Sequence, residues 1–127
     1  MEESKASNIF PIQITIVGKA DLIEGQLIRT LGPRIVEKIL AKLPITDRAS
    51  KRDNQVNLPI NIKMGKEKAS NSAKKGDIAY WPLNDALSIF LDDSEVYGGI
   101  NIIGNITSNL DALNSLRLIN TLKINQK

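Results

Sequence analysis

Two arginines, Arg48 and Arg52, stand four residues apart with Lys51 between them. On a strand, residues four apart point to the same face, so the pair would offer two guanidinium groups to one surface. There they could bind a ligand's oxygens, or simply form a solvated edge whose cations discourage strand pairing. Residues 76–91, GDIAYWPLNDALSIFL, hold the single tryptophan, one of two tyrosines and one of two phenylalanines. Tyr80 and Trp81 are candidates for the wall of a groove. The plainer reading makes Trp81 packing, with its indole N–H bonded to a nearby carbonyl. Ser88 and Phe90 share one face of the following strand, and Tyr97 is the remaining aromatic in an acidic, glycine-containing stretch. Asp92, Asp93 and Glu95 lack the alternating spacing and distal glutamate of a calcium loop, so no metal is expected there.

The chain has no histidine and no cysteine. A Ser-His-Asp triad, a usual zinc site and a disulfide are all excluded. No cofactor is implied. The length of 127 residues suits one domain with a real core. The net charge of +3 is mild, which disfavours nucleic acid as a partner. The opening residues MEESKASN lack an apolar core, and no apolar run approaches the roughly 20 residues of a membrane span. The expectation is a cytoplasmic protein with no membrane partner and an oligomeric state left open, built as a disordered tail over residues 1–8 and one domain over residues 9–125.

The elements that must position these residues follow from periodicity. Phe10, Ile12, Ile14 and Ile16 alternate with polar neighbours, which predicts a half-buried strand. A second strand follows within residues 19–30, with Gly25 marking a bulge or bend. Ile35, Val36, Ile39, Leu40 and Leu43 then fall at helical spacing between Pro33 and Pro44, which predicts an amphipathic helix over 33–43. Beyond it the sequence reads as a polar strand, a turn at Asp53 and Asn54, and a strand with Val56, Leu58, Ile60 and Ile62 on one face. Residues 63–76, rich in lysine, read as a mobile surface loop or flap. Strands at DIAYW and ALSIFL are joined by the turn PLND, and 92–99 reads as a loop. INIIGNIT reads as a strand buried on both faces, SNLDALNSL as a short helix capped by Ser108 or Asn109, and RLINTLKI as a closing strand. Eight short strands without βαβ alternation predict a mainly β fold, a closed barrel with one amphipathic and one short helix. On the ALSIFL strand the aliphatics Leu87, Ile89 and Leu91 claim the inner face. Phe90 is thereby turned outward, where the helix, the lysine-rich loop or a ligand must cover it.

The combination GDxxYWP (Gly76, Asp77, Tyr80, Trp81, Pro82), then Ala86, Leu87 and Phe90, then Asn101, Ile103, Gly104 and Ile106 resembles a small family of prokaryotic cyclophilin-like proteins, over most of the chain. The layout is also similar to that of the cyclophilins, the peptidyl-prolyl isomerases. That resemblance implies a cyclophilin-like barrel, matches Phe90 to a site phenylalanine, and puts Arg48 in the region of the catalytic arginine. An arginine in that role hydrogen-bonds the peptide near proline and favours the twisted state in which the C–N bond loses resonance. The departures are clear. The stretch DDSEVYGG lacks the Trp and His usual in the cyclophilin long loop, and Arg52 and Asp53 stand where the family's groove usually shows a Trp-Gly pair. The resemblance therefore implies a binding module for a proline-containing peptide or small metabolite. Arg48 is its catalytic candidate, and Phe90, Trp81, Tyr80, Ser88, Arg52 and Tyr97 are its ligand-binding candidates. Weak isomerase activity is the alternative.

Overall fold

The structure, a computed structural model, describes residues 8–127. The expected tail falls outside the described residues apart from Asn8, whose carbonyl accepts from the Arg29 N–H at 2.8 Å. Nine antiparallel strands follow one another: β1 (Ile9–Ile16), β2 (Leu22–Ile28), β3 (Ile45–Arg52), β4 (Gln55–Pro59), β5 (Ala69–Ala73), β6 (Asp77–Trp81), β7 (Ala86–Phe90), β8 (Ser94–Ser108) and β9 (Ile119–Gln126). Their order is β2-β1-β9-β3-β4-β7-β6-β8, and β8 pairs back onto β2. The sheet is thus a closed eight-stranded barrel. β5 lies outside the ring, paired only with the first half of β8.

Closure depends on Gly104. A Cβ there would collide with the carbonyl oxygen of Gln26, so only a glycine lets β8 approach β2 this closely. The register of that pairing shifts between Glu24 and Gly25, which is the bulge expected at Gly25.

The alternation read in the sequence becomes a packed interior. Ile12, Ile14 and Ile16 of β1, Val56 and Leu58 of β4, Leu87 and Ile89 of β7, and Leu122 and Ile124 of β9 form one buried cluster. The helix α1 (Pro33–Lys42) adds Ile35, Val36 and Ile39 to it. Two short 3-10 turns, Arg29–Leu31 and Leu110–Ser115, complete the chain.

Three local expectations need correction. The lysine-rich segment is no free loop. The Glu67 carboxylate accepts from the backbone N–H groups of Ile35 (2.8 Å) and Arg34 (3.3 Å), so it caps a helix whose own N-cap, Gly32, has no side chain to do so. The Glu67 N–H donates to Asn101 Oδ1 at 2.8 Å, and residues 69–73 become β5. The stretch 92–99 is not wholly loop either, because β8 begins at Ser94 and pairs Ser94 and Glu95 with Ala73 and Ser72. Finally, the segment after Ser108 forms a 3-10 turn. Asn109, at φ 66°, makes no cap to it, and its side chain donates to the Leu22 carbonyl instead. Both the cover and the backbone partners come from residues distant in sequence, which periodicity does not report.

Candidate functional site

The side chains that line the main cavity stand on the outer face of the barrel, where β3, β4 and β7 lie side by side. Register decides which residues meet. Ser50 of β3, Asn57 of β4, Ser88 of β7 and Ala79 of β6 are successive partners across the sheet, and Arg52, Gln55 and Phe90 form the adjacent row. Odd-numbered positions of β4 face outward because Val56 and Leu58 are committed to the core.

Two carboxamides and a hydroxyl make a connected network there. The Ser88 hydroxyl donates to Asn57 Oδ1 at 2.6 Å. Gln55 Nε2 donates to the same oxygen at 2.7 Å and to Ser88 Oγ at 3.3 Å. Ser88 is fully buried and Asn57 is 8% exposed, so the Asn57 and Ser88 side-chain oxygens are desolvated yet partnered within the network, with Gln55 half-buried at its edge. Above it lies an open cavity of about 560 Å³. Arg52, Asp53, Gln55 and Asn57 line it from β3, β4 and their turn, Trp81 from the end of β6, Asn84 from the β6–β7 connection, and Glu95 from β8. Leu118 and Ile119, 69% and 60% exposed, supply an aliphatic edge.

The residues singled out in the sequence separate into four environments. Arg52 and Trp81 line the cavity, and Ser88 supports its floor. Arg48 is exposed on the same strand and does not line it. Phe90 points outward, as the aliphatic face of β7 requires. Ala73 of β5, Ala79 of β6 and Val96 and Ile100 of β8 enclose it in a second buried cluster, with no exposed surface. The lysine-rich segment, not a ligand, supplies part of its cover. Tyr97 is 96% exposed on β8 and lies outside the cavity. The indole N–H of Trp81 is buried without a partner among the described residues, so the expected carbonyl bond is not made.

Tyr80 lies in the interior, on the opposite face from Trp81. Its hydroxyl donates to Asp85 Oδ1 at 2.7 Å and accepts from the Met64 N–H at 3.1 Å. The same Asp85 oxygen accepts from the Ile62 and Lys63 N–H groups, each at 3.0 Å. Burial, and next the bond to Asp85, push the Tyr80 hydroxyl up to about 12. Burial by itself would raise Asp85, but the Tyr80 hydroxyl and the Lys63 and Ile62 N–H groups outweigh it and hold the carboxyl below its ordinary value. Tyr80 and Asp85 thus form a latch that fastens residues 62–64 to the barrel and contribute nothing to the cavity lining.

The lining residues not proposed as binding residues from the sequence are Ser50, Asp53, Asn54, Gln55, Asn57, Asn84, Ser94, Glu95, Leu118 and Ile119. One signal for them was present. In NQVN the polar positions alternate with Val56 and Leu58, which is how one face of a strand comes to carry carboxamides.

A closed antiparallel barrel with one extra strand is the fold of a cyclophilin-like protein. The chain belongs to the cyclophilin-like family, whose model matches residues 11–125. Its fold is similar to the solution structure of the hypothetical protein AF2241 from Archaeoglobus fulgidus, with a TM-score of 0.77 and 19% identity over 94% of this chain and 96% of that one. It is also similar to McbB, solved in complex with tryptophan, with a TM-score of 0.76 and 14% identity over 91% of this chain but only 44% of McbB. At these identities the likeness is one of fold. No curated protein matches the sequence significantly. Among the described residues, no helix is long and apolar enough to cross a membrane.

Proposed function

We propose that this chain is a binding module that takes a small ligand or a short peptide in the outer-face cavity and does little or no chemistry on it. The observation that carries the reading is the Gln55–Asn57–Ser88 network, with Asn57 and Ser88 buried, beneath an open cavity. A polar network is a costly way to build the back of a strand, since each buried group must find a partner. It is well suited to presenting donors and acceptors to a ligand in fixed positions. McbB, of which 44% matches this chain, was solved in complex with tryptophan, which supports testing small organic ligands first. The proposal includes a cytoplasmic location.

Weak prolyl isomerisation is the second reading, favoured by one observation: Arg52 and Gln55 line one cavity, as an arginine and a second hydrogen-bonding group must. The enclosure of Phe90 weighs against it, because that ring has no surface on which a proline could rest.

An NMR titration with a panel of metabolites and a proline-containing tetrapeptide tests the binding reading. Shift changes should cluster at Ser50–Asn57, Trp81 and Glu95. Absence of shifts there across the whole panel would sink it. Exchange spectroscopy of the same tetrapeptide should show little acceleration, and robust turnover would overturn the non-catalytic part.

A further inference from the structure

Residues of both charge signs line the cavity. Arg52 lines it together with Asp53 and Glu95, all three exposed, and among the described residues none of the three is in an ion pair. A neutral amide would leave all three without a charged partner. A simple anion would meet two carboxylates against one guanidinium, and a simple amine would leave Arg52 unused. A ligand with both an anionic and a cationic end, close together, answers the whole set. The aliphatic edge adds a third requirement. Leu118 and Ile119 are bulky, largely exposed side chains bordering a polar cavity, and an apolar group laid on them would remove that surface from water. The cavity, at about 560 Å³, lies within the usual size of small-molecule sites.

We infer that the ligand is a zwitterionic α-amino acid with an apolar side chain. Its carboxylate lies on Arg52, its ammonium faces Asp53 and Glu95, and its side chain lies against Leu118 and Ile119. The Asn57 amide at the cavity floor is placed to donate to the same carboxylate. The inference rests on the reading of the cavity as a binding site and narrows its ligand to one chemical class. No bond is made or broken in it.

The test is an NMR titration with L-valine, L-leucine, L-isoleucine, L-phenylalanine and L-tryptophan, with the proline tetrapeptide run alongside. At least one free amino acid should shift the resonances of Arg52, Asn57 and Ile119. For the tightest binder three analogues are compared: one without the carboxylate, one without the ammonium, and one blocked at both ends as the N-acetyl amide. Each lost charge should weaken binding at least about ten-fold, the factor that corresponds to one charge-assisted hydrogen bond. Arg52→Gln should erase the difference between the amino acid and its decarboxylated amine. The double variant Asp53→Asn, Glu95→Gln should erase the difference between the amino acid and its des-amino acid. If the N-acetyl amide or the tetrapeptide binds and no free amino acid does, the inference fails while the binding reading stands. If none of these probes shifts the cavity but another metabolite of the wider panel does, the inference fails and the binding reading stands; if nothing in either set shifts it, both fail.

Discussion

Two regions of one sheet surface lie side by side on the outside of this barrel and differ in what covers them. Over β6 and β7, the extra strand β5 and the first half of β8 fold across the sheet, and the residues packed between the two layers are apolar: Ala79 and Phe90 below, Ala73, Val96 and Ile100 above. Over β3 and β4 none of the described residues forms a strand across the sheet, and the outward residues are Ser50, Arg52, Gln55 and Asn57. Phe90 and Gln55 are direct partners across the β4–β7 pairing, so the boundary between the regions is one residue wide. Apolar side chains gain by being covered, and polar ones can stay beside water only where the cover stops. The outer face is therefore a small second core continued by a cavity. Phe90 belongs to the former even though the sequence marks it as a site residue.

The comparison breaks most readily at Phe90. Phe90→Ala should cost about 3–5 kcal/mol, the range for deleting a buried aromatic ring, in urea unfolding. A wild-type midpoint would mean that the covered region is not a core.

The Tyr80–Asp85 latch gives the next effect. Asp85→Ala removes an acceptor used by three donors and should cost about 2 kcal/mol, mostly from the buried Tyr80 hydroxyl. Its pH dependence has a definite sign. Asp85 has a lowered folded pKa, so its contribution is present above the ordinary value of 3.8 and is lost as the pH falls through the lower folded value. Tyr80 is raised, so its contribution is present below the ordinary value of 10.0 and is lost as the pH rises through about 12. Unfolding midpoints measured across both ranges should show that Asp85→Asn flattens the acid limb. An unchanged acid limb would remove Asp85 from the account.

The polar floor should separate stability from function. Replacing its members together, as Gln55→Leu, Asn57→Leu and Ser88→Ala, leaves no unsatisfied partner among them and should change stability by only about 1 kcal/mol. Ligand-induced shifts at the cavity should nevertheless disappear. If binding survives this exchange, the network is structural and the two regions are alike in kind. The smallest effect on stability belongs to the arginines. Arg52→Gln and Arg48→Gln should each leave it within about 0.5 kcal/mol, as exposed positions do. Only Arg52→Gln should weaken binding, and equal losses from both would place the site further along β3.

The resemblance motif shows how sequence and site came apart. Gly76 takes φ +90° in a turn that the Asp77 carboxylate closes on the Lys74 N–H. Tyr80 belongs to the latch, Asn101 holds Glu67, and Gly104 permits the contact of β8 with β2. The motif residues with the clearest structural roles build the barrel, whereas the cavity is lined chiefly by residues the motif does not include.

By itself the sequence determined the period-two strands, the amphipathic helix over Pro33–Lys42, the inward choice of Leu87, Ile89 and Leu91, and hence the outward turn of Phe90. Each of these follows from local alternation and from the need to bury aliphatic surface. Which outward residues are covered was decided only by tertiary structure. The cover, β5, consists of small polar residues without an apolar period, and its strand state comes from pairing with β8 rather than from its own composition. Glu67 reaches α1 across 32 positions, and Glu95 and Ile119 reach the cavity from strands far from Arg52 in the chain. Such meetings depend on register and closure, which are properties of the folded sheet and leave no mark on the residues that meet.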